Sequence, residues 1–182
     1  MSRSRQSSQI VFNCPIFQIR QDEYWLDHLA QSHAFYVIEP TNWINIIAIT
    51  QTNQVVLIEQ FRYGTAQLTL EIPGGMIDPG EDPLTAAQRE LKEETGYEAL
   101  EWALIGVNTP NPAIQHNHCY TFLATNAQLT DNQKLDHTEV IEVKLLPIKE
   151  IPHLIASQQI DHALVITAFY FYELAKKHCP SP

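Results

Sequence analysis

The stretch GGMIDPGEDPLTAAQRELKEETGY, residues Gly74–Tyr97, gathers six acidic side chains (Asp78, Glu81, Asp82, Glu90, Glu93 and Glu94) into twenty-four positions in the middle of the chain. Its second half carries helix signals at both ends. Asp82 is a capping residue, Pro83 suits a first helical position that needs no N–H, and Gly96 suits the left-handed residue that follows a last turn. A helix is therefore predicted over Pro83–Thr95. At about 100° per residue, Glu90, Glu93 and Glu94 share one side of it, while Leu84, Ala87 and Leu91 form a neighbouring apolar stripe. Like charges three and four residues apart cost a helix roughly 0.2–0.5 kcal/mol per pair. Arg89, four residues before Glu93, supplies one compensating charge, and Lys92 points elsewhere.

A glutamate-rich helix is most often a solvated face. Here the repelling carboxylates follow a glycine-containing loop, Gly75 to Gly80, with Glu81 beside the helix start, where it can accept backbone hydrogen bonds and hold the loop. Gly74 and Gly75 are expected to supply backbone angles that a side chain would forbid. Hard oxygen donors of this kind suit Mg²⁺ or Mn²⁺, and Mg²⁺ commonly bridges a few carboxylates to substrate phosphates. The pattern therefore points to phosphate chemistry.

Around this segment lie short β-rich runs: IVFNCPIFQI, EYWL, HAFYVIE, INIIAIT, VVLIEQFRY and TLEI before it, with a turn at QTN, and EWALIGV, HCYTFLA and VIEVKLL after it. Residues 1–8, rich in Ser and Arg, are expected to fray. Two helical segments are predicted to close the chain, Pro147–Ser157 and Ile160–Lys177. The order β-rich, helix, β-rich, helices favours an α+β sheet-and-helix sandwich over a doubly wound parallel sheet.

The 182 residues suit one domain with a packed core, and 21 acidic against 11 basic residues, net −10, argue against nucleic acid or an anionic membrane as a partner. Cys14, Cys119 and Cys179 show no CxxC spacing, and no apolar run approaches a membrane span, so a reduced, cytoplasmic setting is expected.

Gly75, five residues, Glu81, seven residues, then Arg89-Glu90-Leu91, Lys92, Glu93-Glu94, Thr95, Gly96 and Tyr97 reproduces the Nudix box, with Tyr97 where an aliphatic residue is more usual. VVLIEQFRYG, LEIPGG, PNPA and LDHTEVIEVKLLPIKEI resemble the ADP-ribose pyrophosphatase branch of the Nudix hydrolases, although Pro73-Gly74-Gly75 stands where many of its members read Pro-Ala-Gly. The resemblance implies a Nudix-type α/β/α sandwich with a mixed β-sheet over residues 41–182, and a β-rich extension over 1–40 that acts as the arm of a homodimer. It further implies a metal-activated water that splits a nucleotide sugar, ADP-ribose or a relative, to a nucleoside monophosphate and a sugar phosphate. A dinucleoside polyphosphate, a reduced dinucleotide or a damaged nucleoside triphosphate are the alternative substrates, and a nucleotide-sensing module without turnover is the alternative function.

Carried onto this sequence, the family roles make Glu90 and Glu94 the main metal ligands. Glu93 lies in or beside the first coordination shell, the Gly74 carbonyl is an additional ligand, and Arg89 and Glu81 orient the set. Glu139 is the candidate base, or else a surface-turn glutamate. Arg62 and Glu71 are the substrate-binding candidates, Arg62 meeting phosphate; the other reading is a strand-end salt bridge between the two. Tyr36 and Trp43 offer faces for adenine or simply pack. His116 and His118, alternating on an expected strand, suggest a second metal site but lack a third ligand, and Cys119 reads as a small core residue. The apolar helix ALVITAFYFYEL lies between sheet and solvent or against a partner subunit.

Overall fold

The computed structural model describes residues 3–178, so Cys179 lies outside the described residues. Among the described residues two compact units emerge, one of residues 3–42 and 108–118, the other of 43–107 and 119–178.

The first unit is a three-stranded antiparallel sheet of β1 (Arg3–Asn13), β2 (Phe17–Leu26) and β3 (Gln31–Pro40), with β2 central. The run IVFNCPIFQI is not continuous: strand pairing stops at Asn13 and resumes at Phe17, on either side of Pro15. Arg3–Ser8 do not fray but pair with Asp22–Leu26. The reason is Asp22, whose buried carboxylate accepts from Ser8 Oγ at 2.6 Å and Arg20 Nε at 2.9 Å, with Arg5 at 3.7 Å. Burial pushes this carboxyl up, but the hydroxyl and the two arginines outweigh it and hold the group below its usual range.

The second unit is built on β4 (Trp43–Thr50), a nearly unbroken apolar run of the kind that marks a strand covered on both faces. β4 pairs antiparallel with β5 (Gln54–Arg62) through the expected turn and parallel with β10 (Cys119–Leu129), which makes the sheet mixed. β6 (Gln67–Glu71) and β11 (Ile141–Pro147) pair with β5, β7 (Gly74–Met76) with β4, and β8 (Tyr97–Glu98) and β9 (Glu101–Asn108) with β10.

Strand alternation sends Ile44, Ile46, Ala48, Val56, Phe122 and Ala124 to one face, where they bury Ala86, Ala87 and Leu91 of α1 (Pro83–Thr95). Ile47, Ile49, Val55 and Leu57 face the other way, against Ile151 and Leu154 of α2 (Ile151–Ala156) and Val165, Ala168 and Phe169 of α3 (Ala163–His178). The α/β/α sandwich follows from this two-sided packing. Tyr97 is buried in the α1-side core, so its place in the box is one of packing.

The caps of α1 are those read from the sequence. Asp82 accepts from Leu84 N at 2.9 Å and Thr85 N at 3.4 Å, and Gly96, at φ 74°, donates to the Lys92 carbonyl at 2.8 Å. The closing segments differ from expectation. Residues 148–150 form a 3₁₀ turn before α2, and α3 begins at Ala163 rather than Ile160. Ile160 is fully buried as an anchor, and its N–H bonds back to Leu154, so Asp161 and His162 stay outside the helix. No helix among the described residues is long and apolar enough to cross a membrane.

Candidate active site

The site begins where β7 runs between β4 and the carboxylate side of α1. Gly74 pairs with Asn45 and Gly75 with Ile44, and the Pro73 carbonyl accepts from Ile46 N at 2.9 Å. Neither glycine has a positive φ; the left-handed glycines are Gly80 and Gly96. Their requirement is space, not unusual angles. A Cβ on Gly75 would overlap the Glu90 carboxylate, and one on Gly74 would overlap the Ile44 carbonyl. The acidic helix therefore lies directly against bare backbone.

Arg89 organises the carboxylates. Nε and Nη2 grip both oxygens of Glu81 at 3.0 and 2.9 Å, and Nη1 reaches Glu90 at 2.9 Å and Glu93 at 3.2 Å. Nη2 also donates to the Met76 carbonyl at 3.3 Å. Hydrogen bonding to Glu81 is the largest influence holding this guanidinium charged, with Glu90 and Glu93 adding to it. Glu81 in turn accepts from Asp78 N at 3.1 Å, tying down the loop as expected. Lys92 turns away to Glu98, at 2.7 Å.

Glu94 is the buried member of the set, 4% exposed, and its carboxylate accepts from Gly74 N at 3.0 Å. Burial first, and then the charge of Glu90, push its carboxyl well above the usual range; the Gly74 N–H and Arg62 oppose this only in part. Glu90 is also raised, chiefly by burial against the counteracting Arg89, with Glu93 and Glu139 adding repulsion. Glu93 keeps a half-exposed side chain.

Among the described residues no three His, Cys, Asp or Glu side chains converge into a ready-made cage. The donor set is open and all oxygen, deficient in positive charge, and cradled by a glycine whose side chain would fill the space. Those features fit a hard divalent cation that keeps waters and takes further ligands from a phosphate, and they do not fit a closed structural site.

Arg62 and Glu71 face each other across the β5–β6 hairpin in a bidentate pair, Nε to Oε1 and Nη2 to Oε2, both 2.7 Å. Thr69 Oγ1 adds a bond to Glu71 Oε1 at 2.6 Å. Glu71 is 2% exposed, whereas the Arg62 side chain is 44% exposed, so the pair fixes the guanidinium and leaves donors free. The salt bridge and a phosphate-facing arginine are thus compatible, while the Glu71 carboxylate itself is engaged within the protein.

Arg62 borders two hollows. One, of about 650 Å³, is lined by Trp43, Asn45, Glu71, Gly74 and Gly75 and by Asp161 and His162. The other, of about 580 Å³, contains Glu139 with Phe61 and Tyr63. Glu139 sits exposed in the segment before β11, its carboxylate accepting from Asp136 N at 3.1 Å, and its charge is felt by Glu90, Glu94 and Arg62.

Other sequence candidates fall outside this cluster. His116 and His118 lie in irregular chain before β10 rather than on a strand, so strand alternation does not align them. Cys119 is fully buried, and burial pushes its thiol up to about 12, which fits a core residue. Trp43 lines the larger hollow, and Tyr36 is exposed on β3. The wall formed by Asp161 and His162 was missed; its signal was the polar pair in QIDHAL just ahead of an apolar helix.

A mixed sheet between helix layers, with an acidic helix set against a glycine strand beside a nucleotide-sized cleft, defines a fold and site suited to hydrolysing phosphoanhydrides. The NUDIX domain model matches residues 41–169. A methanol dehydrogenase activator of Bacillus methanolicus is 30% identical over 173 residues, covering 92% of each chain. An ADP-ribose pyrophosphatase of Bacillus subtilis (strain 168) is 27% identical over 76% of this chain and 75% of its own. The crystal structure of an ADP compounds hydrolase superposes with a TM-score of 0.86 at 20% identity, covering 98% of this chain and 96% of that one, which bears on the fold. The chain belongs to the Nudix family, and it is a pyrophosphohydrolase.

Gly75→Ala is expected to push the Glu90 carboxylate out of place and lower kcat at least tenfold, while the thermal midpoint moves by only a few degrees. Steady-state kinetics beside a thermal melt checks this, and a fully active variant would show that the close approach of Gly75 to Glu90 is not needed.

Proposed function

We infer that the chain hydrolyses the pyrophosphate bond of ADP-ribose or a close nucleoside diphosphate sugar, using Mg²⁺ or Mn²⁺, to give a nucleoside monophosphate and a sugar phosphate. The observation that carries this is the undercompensated pair of half-buried Glu90 and buried Glu94 against Gly74 and Gly75, beside a cleft that presents Arg62. Relatives named ADP-ribose pyrophosphatase and ADP-sugar pyrophosphatase support the substrate class.

In this reading Glu90 and Glu94 hold the cation, Glu93 stands in or beside its coordination sphere, and the Gly74 carbonyl is a further donor. When bound, the cation would acidify a water and offset charge on the diphosphate in the transition state. Arg89 keeps Glu90 and Glu93 oriented through its grip on Glu81. Arg62, braced by Glu71, holds a phosphate oxygen in place. Glu139 takes the proton from the attacking water; its exposure leaves it free to swing off Asp136 N.

A second reading has one observation behind it, the relative named as a methanol dehydrogenase activator. There the same site chemistry serves the activation of another enzyme.

We further propose that residues 1–40 form an extension to a Nudix domain at 41–182 and are the arm of a homodimer in a reduced, cytoplasmic setting. β1 is exposed along its length, and Ile10, Phe12, Ile16, Phe35 and Tyr36 leave apolar surface on the first unit. Among the described residues Cys14 and Cys119 are free.

A panel of ADP-ribose, other nucleotide sugars, diadenosine polyphosphates, a reduced dinucleotide and oxidised dGTP, assayed with Mg²⁺, tests the reading. ADP-ribose or another nucleotide sugar is expected to be cleaved fastest, and Glu94→Gln to lose about a hundredfold or more in kcat. Near-normal turnover in that variant would remove Glu94 from the proposed role. Light scattering is expected to give about twice the monomer mass of 20.8 kDa, and a monomer would remove the arm.

A further inference from the structure

The start of α3 lines the same cleft as Arg62, and several bonds hold it in place. Gln158 turns the chain at φ 60°, and Gln159 N and Ile160 N both bond to the Leu154 carbonyl, at 2.9 and 3.1 Å. The His162 carbonyl accepts from Ile166 N at 3.0 Å, and Asn45 Nδ2 on β4 reaches the Leu164 carbonyl at 3.2 Å. Asp161 and His162 are thereby fixed between a buried anchor and a helix that is itself tied to the central strand.

Neither side chain makes a hydrogen bond or ion pair among the described residues, although the Glu71 carboxylate on the same cleft feels His162. Asp161 is exposed, lines the cleft, and makes no ion pair or hydrogen bond among the described residues. His162 Nδ1 is buried with no partner, whereas Nε2 remains accessible and is likewise without a hydrogen bond. A buried orphan donor is rarer than an under-satisfied acceptor, so the imidazole proton belongs on Nε2, the nitrogen that a molecule in the cleft can reach. The half-buried Trp43, at the start of β4, completes the wall with a flat apolar face.

A carboxylate acceptor, an imidazole donor and an indole face, lining one cleft together with an arginine, match a phosphorylated sugar. Vicinal hydroxyls donate to a carboxylate, a sugar oxygen accepts from N–H, and the C–H face of the ring packs on the indole. We propose that Asp161, His162 and Trp43 form the subsite for a ribofuranose ring whose 5-phosphate lies toward Arg62. Asp161 accepts from the 2- and 3-hydroxyls, and His162 Nε2 donates to an oxygen of the same sugar. The identity of the phosphate-bearing ligand rests on the hydrolase reading; the sugar contacts rest on the cleft wall alone. These three residues set specificity and position the substrate and are outside the chemistry of bond cleavage.

The test is calorimetric titration of the full chain in magnesium buffer with two pairs of hydrolysis products, ribose 5-phosphate against 2-deoxyribose 5-phosphate and AMP against 2′-deoxy-AMP. A site built to bond a hydroxyl rejects the analogue that lacks it. The wild type is expected to prefer the ribo form in at least one pair by about tenfold or more. Asp161→Asn is expected to abolish that preference and His162→Ala to weaken binding about tenfold, with part of it restored in His162→Gln, whose amide still donates. On ADP-ribose the same variants are expected to raise KM about tenfold while kcat stays within about threefold, with an unchanged thermal midpoint.

Preference in the ribose 5-phosphate pair places the sugar-phosphate half at this wall, preference in the AMP pair alone places the nucleoside half, and either supports the subsite. Equal affinity for ribo and deoxy forms in both pairs, or discrimination that survives Asp161→Asn, overturns it. If the wild type cleaves no nucleotide sugar yet still discriminates ribo from deoxy, the hydrolase reading fails and the subsite stands. Turnover without discrimination does the reverse.

Discussion

The second unit depends on placing repelling carboxylates of one helix against two glycines of a strand, Gly74 and Gly75. Glu90 and Glu94 are drawn into the protein because α1 buries Ala86, Ala87 and Leu91 on the sheet, and the apolar stripe and acidic side are neighbours on a single helix. Apolar burial is worth about 25 cal/mol per Å², and it seats the helix whatever its charges prefer. Against the repulsion stand Arg89, shared among Glu81, Glu90 and Glu93, a backbone N–H from Gly74 to Glu94, and the charge of Arg62 acting on Glu94. Both carboxyls are consequently pushed upward in the protein alone. Packing thus builds an electrostatic deficit that a hard cation would relieve.

The rest of the sheet turns that deficit into a site. β7 is held beside β4, so the glycines meet the helix at the edge of a cleft, and the β5–β6 hairpin ends in an arginine already braced by a buried glutamate. In the proposed phosphate-holding role the brace would matter, because an arginine fixed in advance gives up less rotamer freedom on binding than an unsupported one. Along the same cleft the turn into α3 fixes a carboxylate and an imidazole that make no hydrogen bond among the described residues.

Much of this was legible in the sequence, for reasons that differ from residue to residue. α1 was readable end to end because Asp82, Pro83 and Gly96 are local signals whose physics needs no tertiary context. The mixed sandwich was readable because strands and helices segregate along the chain. The glycines were flagged correctly but for the wrong cause: their φ is ordinary, and only the packed structure reveals that Glu90 and Ile44 occupy the space of a Cβ. Arg3–Ser8 looked like a frayed terminus since nothing local announces that Ser8 and Arg5 meet Asp22. The start of α3 was placed three residues early because Ile160 fits a helical apolar pattern, although its burial belongs to a turn. Asp161 and His162 were invisible as site residues because their significance is a matter of which wall they line.

Electron paramagnetic resonance of Mn²⁺ titrated into the chain addresses the electrostatic deficit directly, with no substrate involved. The wild type is expected to quench the free-ion signal at a saturable site, and Glu90→Gln or Glu94→Gln to weaken that site at least tenfold while the fold persists. Undiminished Mn²⁺ binding in both variants would mean that the cation, if any, is held elsewhere and that the carboxylates of α1 are only a crowded face.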